Sequence, residues 1–454
     1  MHDGLDKIFL KDQVLYDKDE LKSYGKDWTS YYEPRPSAVV FPRESAQVVA
    51  LVKWAVENKV ALVPSGGRTG LSGAAVSING EIVVSFEKMN KILEFNEADL
   101  LIRAQPGVIT KQIQELAKDK GYFFPVDFAS SGSSQIGGNV ATNAGGLHVL
   151  RYGSFRSWVA GLEVVTGKGE CLRLNEGLVK NATGYDFRHL FLGSEGTLGL
   201  FTEIILRVCK EPREKKVLLF SVESWEKIIV LYQLAQKTCE LSAFEVFTNS
   251  ALSYVLASSD LTQPFSESSA LYVVVEAEED DKSLNPLIDA VFEKDLAKDG
   301  TISQNSTQFA ELWSYRENIS ESISKHKPYK NDVSVLTSKI PAFVQEMETI
   351  LKKNYPDFET LWFGHVGDGN LHINILKPEK VEMNEFVSHC KKVDQLLFKC
   401  IQKFNGSISA EHGVGLTKKD FLGFTRSAEE IEYMRGIKKL FDPHCILNPG
   451  KIFD

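Results

Sequence analysis

Ser-Gly-Gly-Arg-Thr-Gly-Leu-Ser-Gly, residues 65 to 73, follows a short apolar run from Ala61 to Pro64. Glycines at 66, 67, 70 and 73 leave backbone N–H groups without side-chain cover, and a concave loop of that kind suits an anion such as a pyrophosphate. Just upstream, Val48, Val49, Val52, Ala55 and Val56 mark one face of a helix that Ser45 is placed to cap. Downstream, residues 110 to 120 predict a second amphipathic helix stopped by Gly121, and then a strand over 122 to 127. Residues 130 to 146 form a small-residue tract empty of charge, but Ile136, Val140 and Ala141 are poor linker residues. Dense Gly, Ala and Asn let backbone approach a flat ligand closely. A third tract runs from Asn181 to Asp186 and from Gly193 to Gly199, with strands at 160 to 166 and 202 to 207. Neither the Gly-x-Gly-x-x-Gly dinucleotide turn nor the Gly-x-x-x-x-Gly-Lys-Ser/Thr loop is present, so a dinucleotide cradle of another design remains.

Beyond residue 210 a mixed basic and acidic stretch (Lys210-Glu-Pro-Arg-Glu-Lys-Lys216) marks a domain boundary. Strands at 217 to 222 and 271 to 276 alternate with helices at 225 to 238, 284 to 297, 340 to 353 and 384 to 404, an α+β order with an antiparallel sheet. Within it, residues 362 to 374 read Trp-Phe-Gly-His-Val-Gly-Asp-Gly-Asn-Leu-His-Ile-Asn. His365 and His372 flank a Gly-Asp-Gly reversal, and a period of two then sets His372 and Asn374 on the face opposite Leu371, Ile373 and Ile375. Two imidazoles can share a metal ion but need a third ligand, for which Glu411 in Ser-Ala-Glu-His-Gly-Val-Gly is the candidate. A histidine pair at this spacing is more often two satisfied residues; two glycine-rich loops carrying four polar groups shift the balance towards a site. The tail opens with a capping box at Ser427 and runs as a helix to Phe441.

The motifs Pro-Ser-Gly-Gly-Arg-Thr-Gly-Leu-Ser-Gly (64–73), Gln-Ile-Gly-Gly-Asn-Val-Ala-Thr-Asn-Ala-Gly-Gly (135–146) and Gly-Ser-Glu-Gly-Thr-Leu-Gly (193–199) resemble those of the vanillyl-alcohol oxidase and p-cresol methylhydroxylase superfamily. The likeness is to its FAD-linked D-2-hydroxyacid dehydrogenase branch, which includes D-lactate, D-2-hydroxyglutarate and glycolate oxidase large-subunit types. The resemblance implies a two-subdomain FAD-binding domain over residues 1–210, a ferredoxin-like substrate cap over 211–408, and a segment 409–454 returning to the flavin. It implies FAD, with Gly66, Gly67, Arg68, Thr69 and Gly70 around the pyrophosphate and Gly138, Asn139, Thr142, Gly145 and Gly146 along the cofactor. The same carry-over places Pro64, Ser65, Leu71, Ser72, Pro125, Asp127, Ser133, Gly137, Asn143, Tyr152, Gly153, Glu195, Gly196 and Ile204 among the cofactor contacts, and Asn448 beside the isoalloxazine ring. Covalent members often carry a His in the first loop; Arg68-Thr69-Gly70 stands there, so FAD is expected to be non-covalent.

By the same resemblance Arg316 and Lys330 grip substrate carboxylate, and Ser320 falls where the hydroxyglutarate enzymes carry Thr. Arg suits that task through its bidentate fork, although most such residues elsewhere are solvated charges. The expected chemistry is oxidation of a D-2-hydroxy acid to the 2-oxo acid. Asn374 would help orient substrate, a zinc (or manganese) ion on His365, His372 and Glu411 would acidify the hydroxyl, and His412 would take its proton. Alternatives are a glycolate oxidase-type subunit and a non-catalytic FAD-binding protein. Electrons would pass to a quinone, an electron-transfer flavoprotein or a cytochrome.

The remaining expectations are negative or coarse. A net charge of −9 argues against a nucleic-acid partner. Six cysteines without a Cys-x-x-Cys pair fit a reducing compartment, and no apolar run is long enough to span a membrane. A cytoplasmic protein, free or peripheral to a membrane, is expected, and a homodimer is compatible with it.

Overall fold

In the computed structural model, which describes residues 3–29, 31–278 and 281–453, the run before the first glycine loop is the strand Leu62–Ser65. It lies parallel to Ile82–Ser85, which lies parallel to Ala38–Val40, and Val14–Leu15 adds an antiparallel edge. Each of the three parallel strands is buried along most of its length, as parallel strands covered on both faces must be. The helix Ser45–Asn58 buries Val48, Leu51, Val52 and Ala55 against them. Its cap position falls on Glu44, one residue before the serine expected there.

A five-stranded antiparallel sheet follows, in the order Ile92–Asn96, Leu101–Ala104, Gly199–Arg207, Val159–Thr166, Cys171–Leu174. The strand expected over 122 to 127 shrinks to Tyr122–Phe123, paired with Cys209–Lys210, because Pro125 has no N–H to extend a ladder. Residues 136 to 142, which carry no helical signal beyond their small size, fold as the helix Ile136–Thr142. Two glycines oppose helix formation there by propensity. Tertiary packing overrides it: Ile136 and Val140 enter the core, and a Cβ on Gly137 would sit 2.6 Å from Pro106 Cβ.

The tail helix Ala428–Phe441 starts with the Ser427–Glu430 capping box. Behind it, the buried Lys438 ammonium donates to Thr197 O and Leu447 O (both 2.7 Å) and pairs with Asp442. Asp442 in turn accepts the Ile446 and Leu447 N–H groups. Leu447 is thereby set beside Leu62, with Leu62 N to Ile446 O and Asn448 N to Leu62 O at 2.7 Å. The C-terminus so becomes a neighbour of the strand that feeds the first glycine loop.

These elements belong to one of two compact units, made of Met1–Gly146, Gly153–Glu211 and Glu411–Asp454; the other holds Leu147–Tyr152 and Pro212–Ala410. The second unit is built on a seven-stranded, wholly antiparallel sheet in the order Asp299–Ile302, Lys216–Val222, Leu271–Ala277, Leu241–Thr248, Thr360–His365, Asn370–Ile375, Tyr329–Ser334. Helices Trp225–Thr238, Ile340–Asn354 and Met383–Lys403 match their expected spans within a residue, whereas the helix expected over 284 to 297 is Asp281–Glu293. The strand Leu241–Thr248 and the helix Asn249–Ser258 are among the elements that had no sequence expectation. The excursion Leu147–Tyr152 is tied into this unit by His148 on Glu276 (3.1 Å), Arg151 on Glu240 and Tyr152 on Glu278.

Candidate active site

The first unit brings the three small-residue tracts together. A Cβ on Gly67 would lie 2.3 Å from Ser133 O, and one on Gly196 would lie 2.3 Å from Pro64 Cγ, so only glycine permits these approaches. Asn448 locks the arrangement, its amide donating to Ala74 O (2.9 Å) and Glu195 O (2.7 Å). Gly66 and Gly138, by contrast, are less crowded: a Cβ on Gly66 would make ordinary 3.6 Å contacts with Gln135 and the Gly138 Cα, and one on Gly138 meets nothing within 4 Å. Within these tracts and the tail, Ser65 Oγ, Ser72 Oγ, Gln135 Oε1, Ser194 Oγ and Asn448 Oδ1 are buried without a hydrogen-bond partner among the described residues. Buried polar groups are rarely left so, and a polar ligand that supplies partners accounts for a cluster of them. The residues fit a dinucleotide.

Several residues that the resemblance assigned to the cofactor spend their side chains inside the protein. Asn139 donates to Thr110 Oγ1 at 2.5 Å, Thr142 to Gly138 O, and Asn143 accepts the Arg156 N–H. Asp127 accepts from Gln114, Arg68 stacks on the Tyr24 ring at 4.6 Å, and Ile204 lies in the core. Tyr152 falls in the second unit.

Glu195 is buried at a left-handed φ of 51°, and its two oxygens accept the N–H groups of Val414 (2.6 Å) and Gly415 (2.7 Å). Burial pushes this carboxyl up to about 7, against the lowering effect of those two bonds. The contact fixes the loop that carries Glu411 and His412. Glu411 Oε1 accepts the Gly146 N–H at 3.0 Å, against the Gly145 Cα. Nearby, Lys451 is buried with an unpartnered ammonium, and burial lowers it to about 8.

In the second unit strand register decides which side chains share a face. Glu245 pairs with His365, Phe363 with His372, His372 with Asp332, and Asn374 with Lys330. Alternation then puts Glu245, His365, Phe363, His372, Asn374, Asp332 and Lys330 on one face of the sheet. His365 and His372 meet edge to face with ring centroids 5.3 Å apart. Each imidazole has a carboxylate at Nδ1: Glu245 on His365 at 2.7 Å and Asp332 on His372 at 3.6 Å. Arg316, from the helix Ser306–Glu317, lies over the Phe363 ring at 4.7 Å and forms an ion pair with Glu245 at 2.9 Å. The same helix is held down by Trp313, which donates to Glu276 at 2.8 Å. Burial alone would raise Glu276, but His148 and Lys215 hold it well below the usual carboxylate range.

Three donors on or over this face have no acceptor among the described residues. Arg316 Nε and Asn374 Nδ2 are buried and unbonded, and Lys330, lowered by burial, has no ion pair among the described residues. Ser320, four residues past Arg316, is half-buried in the short turn Ile319–Ser322. Glu245 was missed from the sequence, although a carboxylate inside the run Leu241-Ser-Ala-Phe-Glu-Val-Phe247 is a signal, since buried charge needs a partner.

The FAD binding domain model matches residues 36–175, and the model of the C-terminal domain of FAD linked oxidases matches residues 211–452. The chain belongs to the FAD-linked oxidases. This FAD-linked oxidoreductase is 52% identical over 455 residues to a D-2-hydroxyglutarate dehydrogenase of Stutzerimonas stutzeri (strain A1501), covering 99% of this chain and 98% of that one. It is 49% identical to a protein of the same name from Xanthomonas citri pv. viticola, covering 96% and 93%. Its fold is shared with 4-ethylphenol oxidase from Gulosibacter chungangensis, at a TM-score of 0.79 and 16% identity over 100% of this chain and 96% of that structure. The α+β fold expected from the motifs is shared with p-cresol methylhydroxylase too, at a TM-score of 0.76 and 17% identity over 100% of this chain and 96% of that structure. No helix among the described residues is long and apolar enough to cross a membrane.

Proposed function

We propose that this FAD-linked oxidase oxidises D-2-hydroxyglutarate to 2-oxoglutarate with the help of a divalent cation. The observation that carries the substrate is the set of donors without a partner among the described residues: Asn374 Nδ2 and the Lys330 ammonium on the sheet face that bears His365 and His372, and Arg316 Nε from the helix whose guanidinium lies over Phe363. Two cations and an amide suit a molecule with two carboxylates, and similarity to relatives named for D-2-hydroxyglutarate supports the same choice.

His365 and His372, each with a carboxylate at Nδ1, fit metal-ligating imidazoles, whose outer nitrogen is ordinarily fixed this way. Glu411 is proposed as the third ligand and His412 as the base. When bound, non-covalent FAD supplies a two-electron acceptor at N5, and zinc or manganese supplies the Lewis acid that makes the 2-hydroxyl easier to ionise. Arg316, Lys330, Asn374 and Ser320 hold the carboxylates so that one C2–H orientation is presented. His412 accepts the hydroxyl proton on a ring nitrogen as the C2 hydrogen leaves with its electron pair, and the carbon becomes a carbonyl.

Lys330→Met tests the substrate assignment. The variant should raise KM for D-2-hydroxyglutarate at least ~10-fold, as expected for one lost charge-assisted contact, and leave D-lactate kinetics nearly unchanged. An equal effect on both acids, or none on either, removes Lys330 from the distal carboxylate.

A further inference from the structure

The two oxygens of Glu245 are engaged by different groups. Oε1 lies 2.7 Å from His365 Nδ1, and Oε2 lies 2.9 Å from an Arg316 terminal nitrogen. The carboxylate is 1% exposed, on a strand whose pairing puts it directly beside His365. The Arg316 contact is an ion pair without hydrogen-bond direction, and Arg316 Nε stays unbonded. The guanidinium is thus located without having its donors used up. We propose that Glu245 is a positioning residue that couples the metal ligand to the substrate-binding cation, a reading that rests on the metal and substrate assignments above.

The physical argument has two parts. A carboxylate accepting at Nδ1 fixes the tautomer in which Nε2 carries the lone pair, and it makes that nitrogen a better donor to a cation. The same negative charge retains a buried guanidinium that would otherwise sit unpaired over Phe363. Removal of one charge should therefore weaken ion binding and carboxylate binding together. Asp332, the corresponding group on His372, accepts from Asn370 Nδ2 at 2.8 Å, whereas Arg316 pairs with Glu245.

The test compares Glu245→Gln, Asp332→Asn and His365→Ala in the FAD-loaded, metal-stripped protein, titrated with Zn2+ alone and then assayed for KM. Glu245→Gln should bind Zn2+ roughly 10- to 100-fold more weakly and raise KM for D-2-hydroxyglutarate. Asp332→Asn should weaken Zn2+ binding and leave KM at saturating metal unchanged. Wild-type Zn2+ affinity in Glu245→Gln, with zinc lost from His365→Ala, overturns the role of Glu245 and leaves the metal site standing. Zinc retained by His365→Ala overturns the metal assignment itself. Independently of any variant, histidine 15N spectra of the metal-stripped wild type should show His365 as the Nδ1–H tautomer, and the Nε2–H tautomer would refute the coupling.

Discussion

Gly145→Ala is a perturbation of one methyl group whose consequence can be worked from contacts. A Cβ built on Gly145 lies 2.4 Å from Glu411 Oε1 and 3.0 Å from both Glu411 Cγ and Cδ. Ordinary contact begins at 3.4 Å, so the carboxylate must retreat by about 1 Å. Carboxylate–zinc bonds are about 2.0–2.2 Å long, so a shift of that size should remove Glu411 from its proposed place as a ligand. The fold should hardly notice: the displaced atoms are the end of a flexible side chain, and Gly→Ala restricts the unfolded chain by roughly 0.4–1 kcal/mol. The expected result is a variant with wild-type FAD content and a denaturation midpoint close to wild type, a Zn2+ affinity at least ~10-fold weaker, and a turnover rate reduced by about 100-fold, as a 1 Å misplacement warrants. Chelator competition measures the affinity, absorbance at 450 nm the flavin, and urea titration the stability. Unchanged zinc affinity would refute the placement of Glu411 in the metal site. Lost FAD would show that Gly145 serves the cofactor cradle first.

Glu195→Gln should flatten the pH dependence of stability. A carboxyl raised from 4.5 to about 7 contributes its full stability below about 4.5 and loses it as pH climbs through 7. That difference corresponds to about 3 kcal/mol, so urea midpoints at pH 5 and pH 8 should diverge more in wild type than in the variant; equal slopes contradict the buried carboxyl. Lys438→Met leaves Asp442 buried without its counter-charge and should destabilise by about 3–5 kcal/mol, with FAD lost as the Leu447 register loosens; a wild-type melting profile would remove the tail anchor. His412→Gln should keep FAD and zinc yet slow anaerobic flavin reduction by at least ~100-fold, and an unaltered rate would eliminate it as the base.

The parts legible in the sequence were those written in local pattern. The Trp225–Thr238 helix and the Ser427 capping box follow from periodicity and caps, and the glycine loop at 66–73 follows from composition. What stayed hidden depended on neighbours distant in sequence. The Ile136–Thr142 helix forms against its glycines because the core and Pro106 receive it. Glu245 acquires meaning only once the 241–248 strand lies beside His365, 120 residues away. Glu195, which the resemblance placed among the cofactor contacts, gains its role in holding the 411–415 loop only where its oxygens meet the N–H groups of Val414 and Gly415. Register and tertiary contact, not residue preference, decide such positions.

The most direct measurement is anaerobic mixing of the FAD-loaded protein with D-2-hydroxyglutarate, followed at 450 nm before and after metal removal. With metal present the flavin should bleach, with one 2-oxoglutarate formed per flavin and a slower rate for the C2-deuterated acid. After chelation bleaching should stop, and Zn2+ should restore it. A flavin that stays oxidised with the D acid, or that bleaches equally well without metal, contradicts the account.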